Sequence, residues 1–148
     1  MVYLLIYRYL VGGGYGLPLD DIINLYVLRH EKKYAVKTGV LKKWFLKTQS
    51  FATRLYLQSP NAMTFVLYIN GSMAAFMSGL SDSGRLIIPR LSIDESFRRY
   101  SPGMLLVTEA IKYLIKSTDI NVLDLSQGDE PYKYNLGATE HFSYRYRL

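Results

Sequence analysis

The order strand, basic turn, helix and strand between Arg85 and Leu125 constrains this chain more than any other feature. Two neighbouring parallel strands need a long crossover, and that crossover is right-handed. The run Arg85 to Ile93 is apolar and rich in isoleucine and leucine, as a buried strand requires. It continues through Asp94-Glu95-Ser96-Phe97-Arg98-Arg99-Tyr100 into Ser101-Pro102-Gly103-Met104-Leu105, which carries the marks of a helix start. Ser101 suits an N-cap, Pro102 suits the first turn where its missing N–H costs nothing, and Gly103 allows close approach to the backbone. The helix Met104 to Lys116 keeps Thr108, Glu109, Lys112 and Lys116 on one side and Leu106, Val107, Ala110, Ile111 and Leu114 on the other. Asn121 to Leu125 then reads as a short buried strand, completing a βαβ unit.

The junction is of a kind that binds anions. The first N–H groups of a helix lack intrahelical partners and lie at the positive end of its dipole, and Arg98 and Arg99 add charge beside them. The same Ser-Pro start also opens ordinary helices, so the pattern alone leaves both readings open. Its place at the carboxyl end of a parallel strand, where open α/β sheets bind ligands, favours the anion.

Upstream, Thr64 to Ile69, the turn Asn70-Gly71 and Ser72 to Leu80 read as a hairpin, because Asn-Gly tolerates the positive φ angles of a type I′ turn. With the turn Ser81-Asp82-Ser83-Gly84 and the strand Arg85 to Ile93, they form an antiparallel meander. Asp20 to Glu31 reads as an amphipathic helix carrying Ile22, Ile23, Tyr26 and Val27. Val40 to Leu57 reads as a second, in which Leu41, Trp44, Phe45, Thr48, Phe51, Ala52 and Leu55 form an apolar stripe. The run Val2 to Val11 contains Arg8 and is too short to span a bilayer. It reads as a strand followed by the loop Gly12 to Gly16. The tail Thr139 to Leu148 holds a candidate final strand, Phe142 to Tyr146. The fold class expected is therefore α/β (α+β): a mixed sheet in which an antiparallel meander leads into a βαβ parallel pair, with helices on both faces. A length of 148 residues with 49% apolar content suits one domain, residues 1–148, with its own core.

Lys and Arg number 18 against 12 for Asp and Glu. The excess is concentrated from Arg29 to Arg54, where eight basic residues face the single acid Glu31. Such a stripe is either a solvated helix face or an attractor of polyphosphate, nucleic acid or an acidic surface. The chain has no cysteine, which excludes disulfides, thiolate nucleophiles and zinc–thiolate sites. Its two histidines, His30 and His141, lie far apart with no ligand-spaced partner, so no metal site is expected.

The meander, the parallel pair and the loop Arg98-Arg99-Tyr100-Ser101-Pro102-Gly103 together resemble the GNAT acyltransferase superfamily. Its phosphate loop reads Gln or Arg, two residues, Gly, one residue, then Gly or Ala. Arg98, Ser101 and Gly103 occupy those places, with Ser101 departing from the first glycine. The run Asp124-Leu125-Ser126-Gln127-Gly128-Asp129-Glu130-Pro131-Tyr132-Lys133 is similar to the branch of the superfamily associated with cellulose biosynthesis and related to Fem-type aminoacyl transferases. The likeness spans roughly Asp20 to Ala138. Members of that branch carry a second acyltransferase-like half upstream, so the resemblance also allows this chain to be the carboxyl half of such a pair.

The resemblance implies an acyl-CoA co-substrate, acetyl-CoA or another, and no metal. Leu91, Ser92 and Ile93 would offer backbone groups to the pantetheine arm and the thioester carbonyl, while Arg98, Arg99, Tyr100, Ser101, Pro102, Gly103, Met104 and Leu105 would hold the pyrophosphate. It further implies direct attack on the thioester by an acceptor amine or hydroxyl, with N–H donors stabilising charge on the carbonyl oxygen. Proton transfer needs an acid and a base, for which Tyr132, Asp124 and Lys133 are the leading candidates and Asp129, Glu130 and Tyr134 stand nearby. Two rival readings remain: a Fem-like transferase that takes an aminoacyl group from tRNA, which the basic stripe would suit, and a non-catalytic half domain serving as a binding module. A cytoplasmic location is expected. Acceptor identity and oligomeric state have no motif to fix them.

Overall fold

The computed structural model describes residues 2–8, 16–34 and 40–142. Five strands form one sheet in the order β1 (Val2–Arg8), β2 (Ala62–Ile69), β3 (Ser72–Asp82), β4 (Arg85–Ile93) and β5 (Val122–Asp124). The first four strands are antiparallel neighbours, whereas β4 and β5 run parallel, as a mixed sheet with one βαβ crossover should. Asn70 and Gly71 have φ values of 51° and 81°, and Ser83 and Gly84 have 48° and 78°. Both hairpins therefore close on two residues in the left-handed region, the type I′ geometry that matches strand twist. The hairpin strands run two residues past the expected Leu80, to Asp82. The loop Gly12 to Gly16, apart from Gly16, and the candidate strand Phe142 to Tyr146, apart from Phe142, lie outside the described residues.

Helices cover both faces. The helix α3 (Pro102–Ser117) buries Leu106, Val107, Ala110 and Leu114 against Phe65, Leu67, Met77, Leu86 and Ile88. Each large side chain removed from water there contributes about 1.5–3 kcal/mol. On the other face, α1 (Leu19–Tyr34) and α2 (Val40–Leu57) enclose Ile22, Ile23, Leu57, Val66 and Phe76. An ion pair between Asp20 and Arg54 at 2.6 Å joins the start of α1 to the end of α2, so the two helices run antiparallel.

The structure orients α2 and corrects one expectation. The apolar stripe of α2 faces solvent: Trp44, Phe51 and Leu55 are 68%, 64% and 56% exposed, while Thr53 and Leu57 turn inward. Periodicity locates a stripe but does not say which side of the helix the sheet occupies. The strand expected over Asn121 to Leu125 is only three residues long, and its first residue Val122 is 42% exposed. Among the described residues it is an edge strand, paired with β4 alone.

Candidate active site

The parallel pairing of β4 with β5 covers only Arg85↔Val122, Leu86↔Leu123 and Ile87↔Asp124. Beyond Ile87, β4 continues without a partner on that edge and the two strands separate. A bulge marks the point of departure. On β3, Ser78 pairs with Arg90 and Leu80 with Ile87, so Gly79 alone opposes Ile88 and Pro89. A Cβ at Gly79 would stand 2.3 Å from the Ile87 carbonyl oxygen and 2.6 Å from Ile88 Cδ1, so this crossing admits only glycine. Pro89 brings no N–H to the opened edge.

Alternation then decides which backbone groups face the gap. The Asp94 N–H donates to the Ala74 carbonyl at 2.9 Å, and Ser92 lies opposite Phe76, so the groups of Asp94 and Ser92 point toward β3. Those of Leu91 and Ile93 consequently point into the opened edge. Ser92 was expected to contribute backbone groups beside them and does not; its side chain is buried and its hydroxyl has no partner.

At the end of β4, Asp94 caps a 3₁₀ turn, Glu95–Tyr100, by accepting from the Ser96 N–H at 2.9 Å. The basic turn is thus a short helix of its own. Ser101 follows with φ 48° and ψ 54°, and its side chain makes no capping bond to α3. The N-cap role assigned to its hydroxyl is therefore not realised, because the left-handed backbone turns it away. That conformation accounts for the glycine usual at this place in the superfamily loop. The Ser101 carbonyl accepts the first helical bond, from Leu105 at 3.1 Å. Pro102 has no N–H, which leaves those of Gly103 and Met104 at the open helix end. The Leu105 N–H, expected to join the cradle, is committed inside the helix. A Cβ at Gly103 would sit 3.4 Å from Ile93 Cγ2, close enough to show how tightly α3 is set on β4 yet roomy enough for alanine.

The two loop arginines differ. The Arg98 side chain is 83% exposed and only 3.9 Å from Glu95, whereas Arg99 donates to the Tyr100 hydroxyl at 2.6 Å and lies 4.6 Å from that ring's centroid. Arg98 is free to reach a ligand at little cost, and Arg99 is tied to Tyr100.

Across the gap, Asp124 accepts from the Ser126 N–H at 2.8 Å and lies 3.9 Å from Arg85. Lys133, in the short helix α4 (Pro131–Asn135), is buried. Its ammonium donates to the carbonyls of Ser126, Gln127 and Gly128, each at 3.1 Å, and pairs with Glu130 at 2.9 Å. Its donors are spent on the loop between β5 and α4, which Lys133 organises. Tyr132 is half-buried, and its hydroxyl has no hydrogen-bond partner among the described residues. Burial raises its pKa above the usual tyrosine value, the Glu130 carboxylate adds to the rise, and the Arg29 guanidinium opposes it. Tyr134 is instead bonded to the Glu140 carboxylate, and that bond is the main reason its pKa is raised.

Arg29 escaped the sequence reading except as one member of the basic stripe. From α1 it donates to the Leu91 carbonyl at 2.6 Å while influencing Tyr132, so three separate segments meet at one point. Along β5, a cleft of about 1160 Å³ is walled by Ile87, Asp124, Ser126, Lys133 and Phe142. No helix among the described residues is long and apolar enough to cross a membrane.

The chain is similar in fold to a possible acetyltransferase from Clostridium difficile 630, with a TM-score of 0.69 at 14% identity, covering 99% of this chain and 97% of that one. A ribosomal-protein-alanine N-acetyltransferase from Brucella melitensis biovar Abortus 2308 gives 0.61 at 14% identity, with 100% and 99% covered. A PaiA N-acetyltransferase from Thermoplasma acidophilum, solved in complex with coenzyme A, gives 0.55 at 13% identity, with 78% and 73% covered. No curated protein sequence matches the chain. The family model described as an acetyltransferase (GNAT) domain matches residues 19–134, and the chain, with its splayed parallel strands and open α3 terminus, belongs to that family of acyltransferases.

Proposed function

We propose that this protein transfers an acyl group, in the simplest case acetyl, from acyl-CoA to an amine or hydroxyl acceptor, acting as a single domain in the cytoplasm. The observation that carries the reading is the alignment of the Leu91 and Ile93 backbone edge, which no strand among the described residues pairs and on which Arg29 holds the Leu91 carbonyl, with the open N-terminus of α3. A pantetheine arm can extend along β4 as an added strand, and its pyrophosphate then falls at Gly103 and Met104. Bound there, the thioester supplies an activated carbonyl.

The chain's own groups do the rest. Leu91 and Ile93 bind and orient the arm, Arg98 adds charge to the pyrophosphate site, and the Gly79 bulge keeps the strands apart. Tyr132, held protonated by burial and by Glu130, is placed to give its proton to the departing sulfur. Asp124 and Lys133 act indirectly by fixing the loop that presents Tyr132. That Asp-led loop with its Tyr-Lys pair also supports the likeness to the cellulose-biosynthesis branch.

The test is calorimetric titration of CoA into the wild type and Gly103→Val. Added branching at Gly103 must displace Ile93 or the helix end, so affinity should fall at least about tenfold, or 1.4 kcal/mol. Unchanged affinity would remove the site from α3.

A further inference from the structure

We propose that the outer face of α2 docks on an anionic phospholipid surface, so that the enzyme works at a membrane without spanning it. The helix is apolar on its outer as well as its inner side. Its solvent side carries Trp44, Phe51 and Leu55, 68%, 64% and 56% exposed. Spacings of seven and four residues bring the three onto one stripe. Its inner side buries Leu57, half-buries Phe45, Leu46 and Tyr56, and also takes in Thr53, fully buried with a hydroxyl that finds no partner among the described residues. Burying a polar group unpaired while leaving the chain's sole tryptophan in water is unfavourable for an isolated domain.

Charge identifies what covers the stripe. The helix has no acidic residue, and Lys43 and Lys47 are exposed along the flank of Trp44 and Phe51. Aromatic and aliphatic residues bordered by lysines, with no acid among them, form the pattern that lies in the headgroup layer of an anionic bilayer. The antiparallel register set by Asp20 and Arg54 brings Leu28 of α1, 53% exposed, level with the middle of α2. The contact therefore widens beyond a single helix.

Trp44 is the natural probe, since all tryptophan emission comes from it. With the full chain, vesicles containing phosphatidylglycerol should shift its emission to the blue and protect it from iodide, while pure phosphatidylcholine vesicles should do neither. Lys43→Glu with Lys47→Glu should reduce partition at least about tenfold, as two reversed charges near the surface predict. Phe51→Glu should do the same while leaving far-UV circular dichroism and CoA affinity unchanged. No response to anionic vesicles overturns the proposal. So does a blue shift that appears without vesicles and grows with protein concentration, which would assign the face to a second copy of the chain.

Discussion

The Arg29 guanidinium donates to the Leu91 carbonyl at 2.6 Å, across 62 residues of sequence. The bond occupies an acceptor on the open edge of β4 that the proposed function gives to a pantetheine amide. Arg29 and the co-substrate would thus compete for one oxygen, and binding would have to displace the side chain. Because Arg29 is exposed, the bond it gives up is a modest one.

Arg29→Ala should accordingly tighten CoA binding by about threefold, measured by titration calorimetry. A weaker complex would show that the guanidinium moves onto the ligand and helps to hold it.

The loop arginines should differ in the same assay. Arg98→Ala should raise the acyl-CoA KM more than Arg99→Ala, because Arg99 is already engaged with Tyr100 while Arg98 is solvent-exposed. Added salt should shrink the difference. Equal KM values for the two variants would count against the register of the loop.

Ser101 holds a left-handed backbone without using its side chain, so Ser101→Gly should raise stability by about 0.5–1 kcal/mol, net of the extra freedom glycine brings to the unfolded chain. Chemical denaturation measures this directly. Gly79→Ala should do the opposite, costing about 1–3 kcal/mol, since its methyl group meets the Ile87 carbonyl and Ile88. If Gly79→Ala folds as stably as the wild type, the bulge is not what separates β4 from β5.

These positions also mark how far the sequence could be read. Asn70-Gly71 announced its hairpin because the turn chemistry is local, and the Arg85-to-Leu125 crossover followed from chain order. Gly103 was legible from the Ser-Pro-Gly helix start and again from the superfamily pattern, and the contact with Ile93 explains why alanine is the tolerated alternative. Gly79 was missed since a lone glycine in a strand does not reveal that another backbone passes 2.3 Å from its missing Cβ. Arg29 was missed because its partner is brought near only by the packing of α1 on the sheet. The α2 stripe was legible but its direction was not, for spacing sets a face and only tertiary contacts turn it toward solvent. Lys133 stood among the candidates for its place just beyond β5, and the three loop carbonyls that surround its ammonium are brought there by a turn of the chain that spacing does not reveal.

Tyr132 provides the sharpest chemical test. Its pKa is raised by burial first and by Glu130 second, so the hydroxyl stays protonated through neutral pH and its activity as an acid is lost only as pH rises through that raised value. The alkaline limb of kcat should therefore fall above the usual tyrosine range. Arg29 lowers this pKa and Glu130 raises it, so Arg29→Ala should push the limb to higher pH and Glu130→Gln should draw it lower. Tyr132→Phe keeps the ring and removes only the proton, so kcat should fall roughly 10²-fold with CoA affinity nearly constant. The residual activity should no longer show that alkaline limb. A Tyr132→Phe enzyme with full turnover and an unchanged pH profile would place the proton donor elsewhere in the gap.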